Sequence, residues 1–420
     1  MRFLLGGHSA DMQGDARGIG LLRVGEADSP LPGGPLAFEG EAVRTEGSPS
    51  WLARHPTLDV VYAALEGAGT VQAFRRSGGA RLVRSGAPVA LGDRPRHLVV
   101  APDGSSLVAS CRDDGRVVRV RLDTEGRLGS EVAAAAPARD PYADLDERDW
   151  QTAVLDPERG RGRADAAGAD PDGDGAPLHE LAAAADALRE AAGAAFAHLI
   201  PSYEAPPPAA TTAARVDTDR PARASRPSRS AFLPGGVLAA TDEGLDVVRF
   251  WRTGPGGSTP LGAVTLPRGT GPGPMVWHPS GHLYVVATVS CEVYVLAPDA
   301  AGSWRVVAGA PVAPGAPAGD TAAEVALARD AQFVYITLCG SDTVAALRVG
   351  GDGSALSPVA LAETGVTGPV HHVVERDTLL VAGRGSGEVA ALTLDIRAGA
   401  PGKVRSRTTA PSPTCILPLR

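Results

Sequence analysis

The chain has 420 residues, 44% of them hydrophobic, with 52 glycines, 36 prolines and a formal net charge of −8 at pH 7. An acidic balance argues against nucleic acid as a partner. The only lysine is Lys403, which all but excludes Schiff-base and lysine-base chemistry, so an anion site must be built from Arg, His or backbone N–H groups.

The first strand pair is Phe3–Gly7 followed, after a polar loop, by Gly18–Val24. The same form returns at Asp59–Phe74, Ser106–Val120, Gly236–Phe250, His282–Leu296, Gln332–Leu347 and Thr378–Leu392. Each copy is a short apolar run, a Gly/Asp-rich turn and a second apolar run led by Val, which reads as a β-hairpin. Val71 to Val117 is 46 residues, Val248 to Val293 is 45, Val293 to Val344 is 51 and Val344 to Val389 is 45. A period near 45 with several strands per repeat is that of a propeller blade. The chain is therefore expected to be all-β: a single seven-bladed β-propeller of four-stranded antiparallel blades over 1–420. Pro411–Leu419 is expected to complete the sheet that the N-terminal strand begins.

One step breaks the period, the 131 residues from Val117 to Val248. Residues 134–229 lack the hairpin pattern and read as an insertion. Within it, Leu178, Leu181, Ala185, Leu188, Ala192, Ala195 and Leu199 step 3-4-3-4 along one face, which predicts a helix near 177–200 between Pro177 and Pro201. Its flanks read as flexible linker, and its apolar stripe as a surface for the propeller or a protein partner. Asp170-Pro171-Asp172-Gly173-Asp174-Gly175 matches the start of a calcium loop, but Leu181 stands where the bidentate Glu belongs, so the stretch reads as a solvated acidic linker.

The cysteines, Cys111, Cys291, Cys339 and Cys415, form no Cys-x-x-Cys pair, so neither a structural zinc site nor a disulfide framework is expected. No apolar run approaches the length of a membrane span, and the apolar stretch at the N-terminus is too short for a signal peptide. A cytoplasmic protein without membrane contact is expected.

Residues 55–74 (HPTLDVVYAALEGAGTVQAF), 94–120 (RPRHLVVAPDGSSLVASCRDDGRVVRV), 321–347 (TAAEVALARDAQFVYITLCGSDTVAAL), 368–374 (GPVHHVV) and 411–419 (PSPTCILPL) resemble the lactonase-type seven-bladed propellers, the family of bacterial 6-phosphogluconolactonase. The resemblance implies hydrolysis of a sugar lactone without a required metal or other cofactor, at the mouth of the central channel. Such hydrolysis needs a base for water, a cation or N–H donor for the oxyanion and an acid for the leaving oxygen. By resemblance, His97, His371, Glu324 and Glu66 are the candidate catalytic residues, and Arg96, Arg384 and Asp242 would hold substrate. Ser228, Ser230, Gly273, Pro274, Ala287, Thr288, Leu338 and Cys339 stand where the family carries other polar groups, several of them central to its chemistry. That leaves a second reading, a diverged propeller that binds a small ligand or a protein without this catalysis. The bland reading of His97 and His371 is an imidazole bonded to nearby backbone, and that of Asp242 a turn cap. His372 is expected to pack against a neighbouring blade.

Overall fold

The computed structural model describes residues 1–26, 34–136, 138–143, 222–254 and 257–419. The chain divides into two units, one of 1–144 with 223–420 and one of 145–222. The sheets and the site of the described residues lie in the first unit. The expected helix near 177–200 and the calcium-like stretch at 170–175 lie outside the described residues. Of the expected insertion 134–229, residues 134–136, 138–143 and 222–229 are described, and its end is corrected there: Pro227–Leu233 is already the inner strand of a blade, not linker.

Seven antiparallel sheets form the ring. From inside outward, blade 1 is Pro413–Leu419, Arg2–Gly7, Gly18–Val24 and Leu36–Arg44. Blade 2 is Pro49–Arg54, Val60–Leu65, Thr70–Arg76 and Leu82–Arg84, and blade 3 is Pro95–Val100, Ser106–Cys111, Arg116–Leu122 and Leu128–Ala134. Blade 4 is Pro227–Leu233, Val237–Asp242, Val247–Gly254 and Gly257–Thr265, and blade 5 is Pro272–His278, His282–Ala287, Glu292–Pro298 and Trp304–Pro311. Blade 6 is Ala322–Leu327, Phe333–Leu338, Thr343–Gly350 and Ala355–Glu363, and blade 7 is Pro369–Glu375, Thr378–Gly383, Glu388–Leu394 and Pro401–Thr409. Only blade 2 departs from four strands, because Val89–Ala90 also pairs with its third strand. The seven hairpins read from the sequence are the second and third strands of the seven blades.

The polarity of each strand follows its radius. Second strands such as Val60–Leu65 (VVYAAL) and Phe333–Leu338 (FVYITL) are buried at every residue, because the faces of neighbouring blades cover both sides. Outermost strands alternate: Pro401–Thr409 (PGKVRSRTT) buries one residue fully and turns the rest by period two toward water. Among the described residues the apolar cores are seven clusters, one between each pair of consecutive blades, including blade 7 with blade 1 through Phe3, Leu22, Leu380 and Ile416. Closure is by the C-terminal strand: Arg2 pairs with Leu419 and Leu5 with Ile416. Pairing the first and last strands in one sheet leaves no inner edge open.

Candidate active site at the channel mouth

The site is built by a backbone device repeated seven times. Six innermost strands begin with proline and the seventh with Ala322, a position where the missing N–H costs no ladder bond. That first residue pairs with the last residue of the second strand: Pro49 with Leu65, Pro95 with Cys111, Pro227 with Asp242, Pro272 with Ala287, Ala322 with Leu338, Pro369 with Gly383 and Pro413 with Gly7. The next residue of the second strand then donates its N–H to the carbonyl that precedes the first position: Glu66 to Ser48, Arg112 to Arg94, Glu243 to Arg226, Thr288 to Gly271, Cys339 to Thr321, Arg384 to Gly368 and His8 to Ser412, all between 2.7 and 3.1 Å. The result is a ring of seven equivalent side chains: His8, Glu66, Arg112, Glu243, Thr288, Cys339 and Arg384.

Neighbours in this ring pair across blade boundaries. His8 Nε2 lies 3.6 Å from Glu66 Oε2, and Arg112 Nη2 3.2 Å from Glu243 Oε1. Glu66 is nearly inaccessible, and its other oxygen is 3.1 Å from Arg94 Nη2 and 3.9 Å from Arg96 Nε. Burial alone would raise its pKa, but the adjacent His8 ring and the charge of Arg96 prevail, and it falls to about 2. Desolvation draws Arg96 down to about 10, against the pull of Glu66, so it stays charged at neutral pH. Arg384 is exposed, and its guanidinium has no hydrogen bond or ion pair among the described residues. Arg384, Arg94, His8, Asp11, Gln13, Gly67 and Ser412 line a pocket of about 740 Å³, a volume suited to a small molecule.

One step deeper, every inner strand carries a register shift just after its first residue. This bulge sends Trp51, His97, Arg229, Glu324 and His371 to a common centre. Trp51 fills it: its ring lies 4.6 Å from that of His97 and 5.1 Å from that of His371, and Arg229 Cζ sits 4.4 Å above it. Arg229 Nη2 is 3.4 Å from Glu324 Oε2, which is also 3.8 Å from His371 Nε2, while Glu324 Oε1 accepts from the Val325 N–H. His97 Nδ1 accepts from the Ser230 N–H at 3.2 Å and His371 Nδ1 from the Ile416 N–H at 3.3 Å. An amide donor at Nδ1 assigns the proton of each neutral ring to Nε2. Burial first, then the charge of Arg229, drives His97 well below the usual histidine value and His371 to about 3. Both rings are thus neutral donors at Nε2, with their acceptor nitrogens already occupied.

A propeller closed by its own tail, with a polar ring at one end of the channel, can be compared with known proteins. The family model described as "Lactonase, 7-bladed beta-propeller" matches residues 14–149 and 212–418. This chain belongs to that lactonase family. Among solved structures it is similar to a periplasmic gluconolactonase of Pseudomonas aeruginosa (17% identity, 100% of each chain, TM-score 0.69) and to a protein of Lactobacillus plantarum (16% identity, 100% of this chain and 99% of that one, TM-score 0.71). A Bacteroides fragilis protein named as a candidate 6-phosphogluconolactonase is similar at 16% identity over 99% and 96% of the two chains, with a TM-score of 0.68. An uncharacterised protein of Staphylococcus saprophyticus is 30% identical over 189 residues, 44% of this chain and 54% of that protein. The chain therefore spans about half the length of this curated relative.

The lactonase propeller divides the seven residues expected from sequence into three groups. His97, His371 and Glu324 meet around Trp51. Glu66, Arg96 and Arg384 stand at the mouth, where Glu66 and Arg384 belong to the ring of seven. Asp242 is elsewhere: it pairs with Pro227 one residue before the ring, and its oxygens accept from Ser225 Oγ at 2.5 Å and from the N–H groups of Arg226, Gly244 and Leu245 at 2.8 to 3.2 Å. It caps the strand turn, and Glu243 takes the mouth position. His372 reaches Thr337 Oγ1 of the neighbouring blade at 3.3 Å. His8, Arg94, Arg112, Glu243, Trp51 and Arg229 went unread in the sequence. A signal for two of them, Arg112 and Glu243, was present: counting five residues back from the leading Val of the hairpins gives Glu66, Arg112, Glu243, Thr288, Cys339 and Arg384. Arg229 lies between Ser228 and Ser230, the two positions compared with the family; like Trp51, His97, Glu324 and His371 it stands two residues after an inner-strand start. No helix among the described residues is long and apolar enough to cross a membrane.

Proposed function

We propose that this lactonase-family propeller hydrolyses a sugar-acid lactone bearing an anionic group, bound at the channel mouth. The observation that carries this reading is Arg384, an exposed guanidinium without a partner among the described residues, lining one pocket with Arg94 and His8. A forked cation is the group best suited to a phosphate or carboxylate. Arg94 is already engaged by Glu66, so Arg384 is the cation left to meet the substrate's charge, and Arg94 lies where it would stabilise an oxyanion. A kinship with gluconolactonase structures supports the substrate class without naming the substrate.

The purified protein should open 6-phosphogluconolactone faster than the spontaneous rate and faster than uncharged gluconolactone. A rate equal to the blank for both would refute the proposal.

A second reading, a propeller that binds such an anion without turning it over, is favoured by one observation. The inner set of His97, His371, Glu324 and Arg229 satisfies itself around Trp51, and neither imidazole there has a nitrogen free to accept a proton. Tight binding of 6-phosphogluconate together with an unaccelerated lactone would select this reading.

A further inference from the structure

We infer that His8, held by Glu66, is the general base of the proposed hydrolysis, a role that rests on that reading. Three imidazoles, His97, His371 and His372, lie in the channel wall and are all but buried. The first two are closed to proton uptake at Nδ1 by amide donors, and none of the three lines the mouth pocket. His8 does line it, with 13% of its side chain exposed. Its backbone is pinned on both sides, the N–H to Ser412 O at 3.1 Å and the carbonyl to the Ala16 N–H at 2.9 Å. The Nε2 edge of the ring lies 3.6 Å from Glu66, which Arg94 and Arg96 keep anionic and fixed. Nδ1 has no partner among the described residues.

A carboxylate on one imidazole nitrogen and an open second nitrogen are the parts of an oriented base. With the Nε2 proton directed at Glu66, the Nδ1 lone pair takes a proton from water. The hydroxide formed adds to the lactone carbonyl carbon, and the acyl–oxygen bond breaks. The imidazolium returns its proton to the departing ring oxygen, so that lactone and water become the open hydroxy acid. Arg94 and Arg384 stand on the same pocket wall, where negative charge develops on the substrate. The acidic group that lines the pocket with His8 is Asp11, whose oxygens accept from the Ser48 hydroxyl at 2.6 Å and the Ser48 N–H at 3.2 Å.

The test is the rate–pH profile of the full-length protein on 6-phosphogluconolactone. His8→Asn should lower kcat about 10²- to 10⁴-fold, abolish the acid limb of the profile and leave 6-phosphogluconate affinity within about threefold. His8→Ala should recover rate when imidazole is added, and Glu66→Gln should lower kcat less than His8→Asn does. A wild-type rate above the blank with His8→Asn unchanged, or with the acid limb retained, overturns the role of His8 alone. A wild-type rate equal to the blank overturns the hydrolysis reading and this role together.

Discussion

Acid should destabilise the propeller well before its carboxylates are protonated. His97, His371 and His372 are 8%, 7% and 2% exposed. Burial, as the largest cause, sets His97 well below its ordinary value, His371 at about 3 and His372 at about 4. A histidine whose folded value is depressed takes up its proton on unfolding. Stability is therefore full above the unfolded value near 6.5 and falls as pH drops below it. Between pH 7 and pH 5 each such histidine costs about 2 kcal/mol, and the three together about 6 kcal/mol, a large share of the stability of an ordinary domain. Glu66, depressed to about 2, acts in the same direction but only below its unfolded value of 4.5, so this window belongs to the imidazoles. Urea denaturation followed by tryptophan fluorescence at pH 7 and pH 5 measures the loss. His371→Gln and His372→Gln should each remove about a third of the difference, since glutamine does not titrate. Equal stability at the two pH values, or variants that keep the full wild-type slope, would refute the reasoning.

Other outcomes follow from the same contacts. Arg229→Met should destabilise by about 3–5 kcal/mol, because Glu324 is left as an uncompensated buried charge, and Arg229→Met with Glu324→Gln should recover part of that loss in thermal denaturation. Arg384→Ser should leave stability within about 0.5 kcal/mol, as its side chain has no protein partner among the described residues, yet weaken 6-phosphogluconate binding about tenfold by calorimetry. Ending the chain at Ala410 removes Pro413–Leu419, exposes the Arg2–Gly7 edge and takes the amide from His371 Nδ1. That protein should aggregate or lose its cooperative transition, and a sharp melt at the wild-type temperature would count against closure by the tail.

By itself the sequence determined the hairpins, their number and the ring. A strand's apolar pattern is local, and a leading Val recurring about every 45 residues needs no tertiary information to be counted. It also placed His97, His371 and Glu324 near the starts of three inner strands. Which side chains meet was decided only by the tertiary structure. The bulge after each inner-strand start shifts the register by a residue, and one residue is enough to reverse the side a strand side chain faces. For that reason Arg229 rather than its serine neighbours reaches Trp51. Asp242 is instead held by its turn contacts, which leaves the mouth position to Glu243. Alternation cannot encode such a shift, because the bulge is fixed by pairing between strands. His8 and Glu66 meet for a related reason: they lie 58 residues apart in the chain, and only the packing of blade 1 against blade 2 brings the two strand ends side by side.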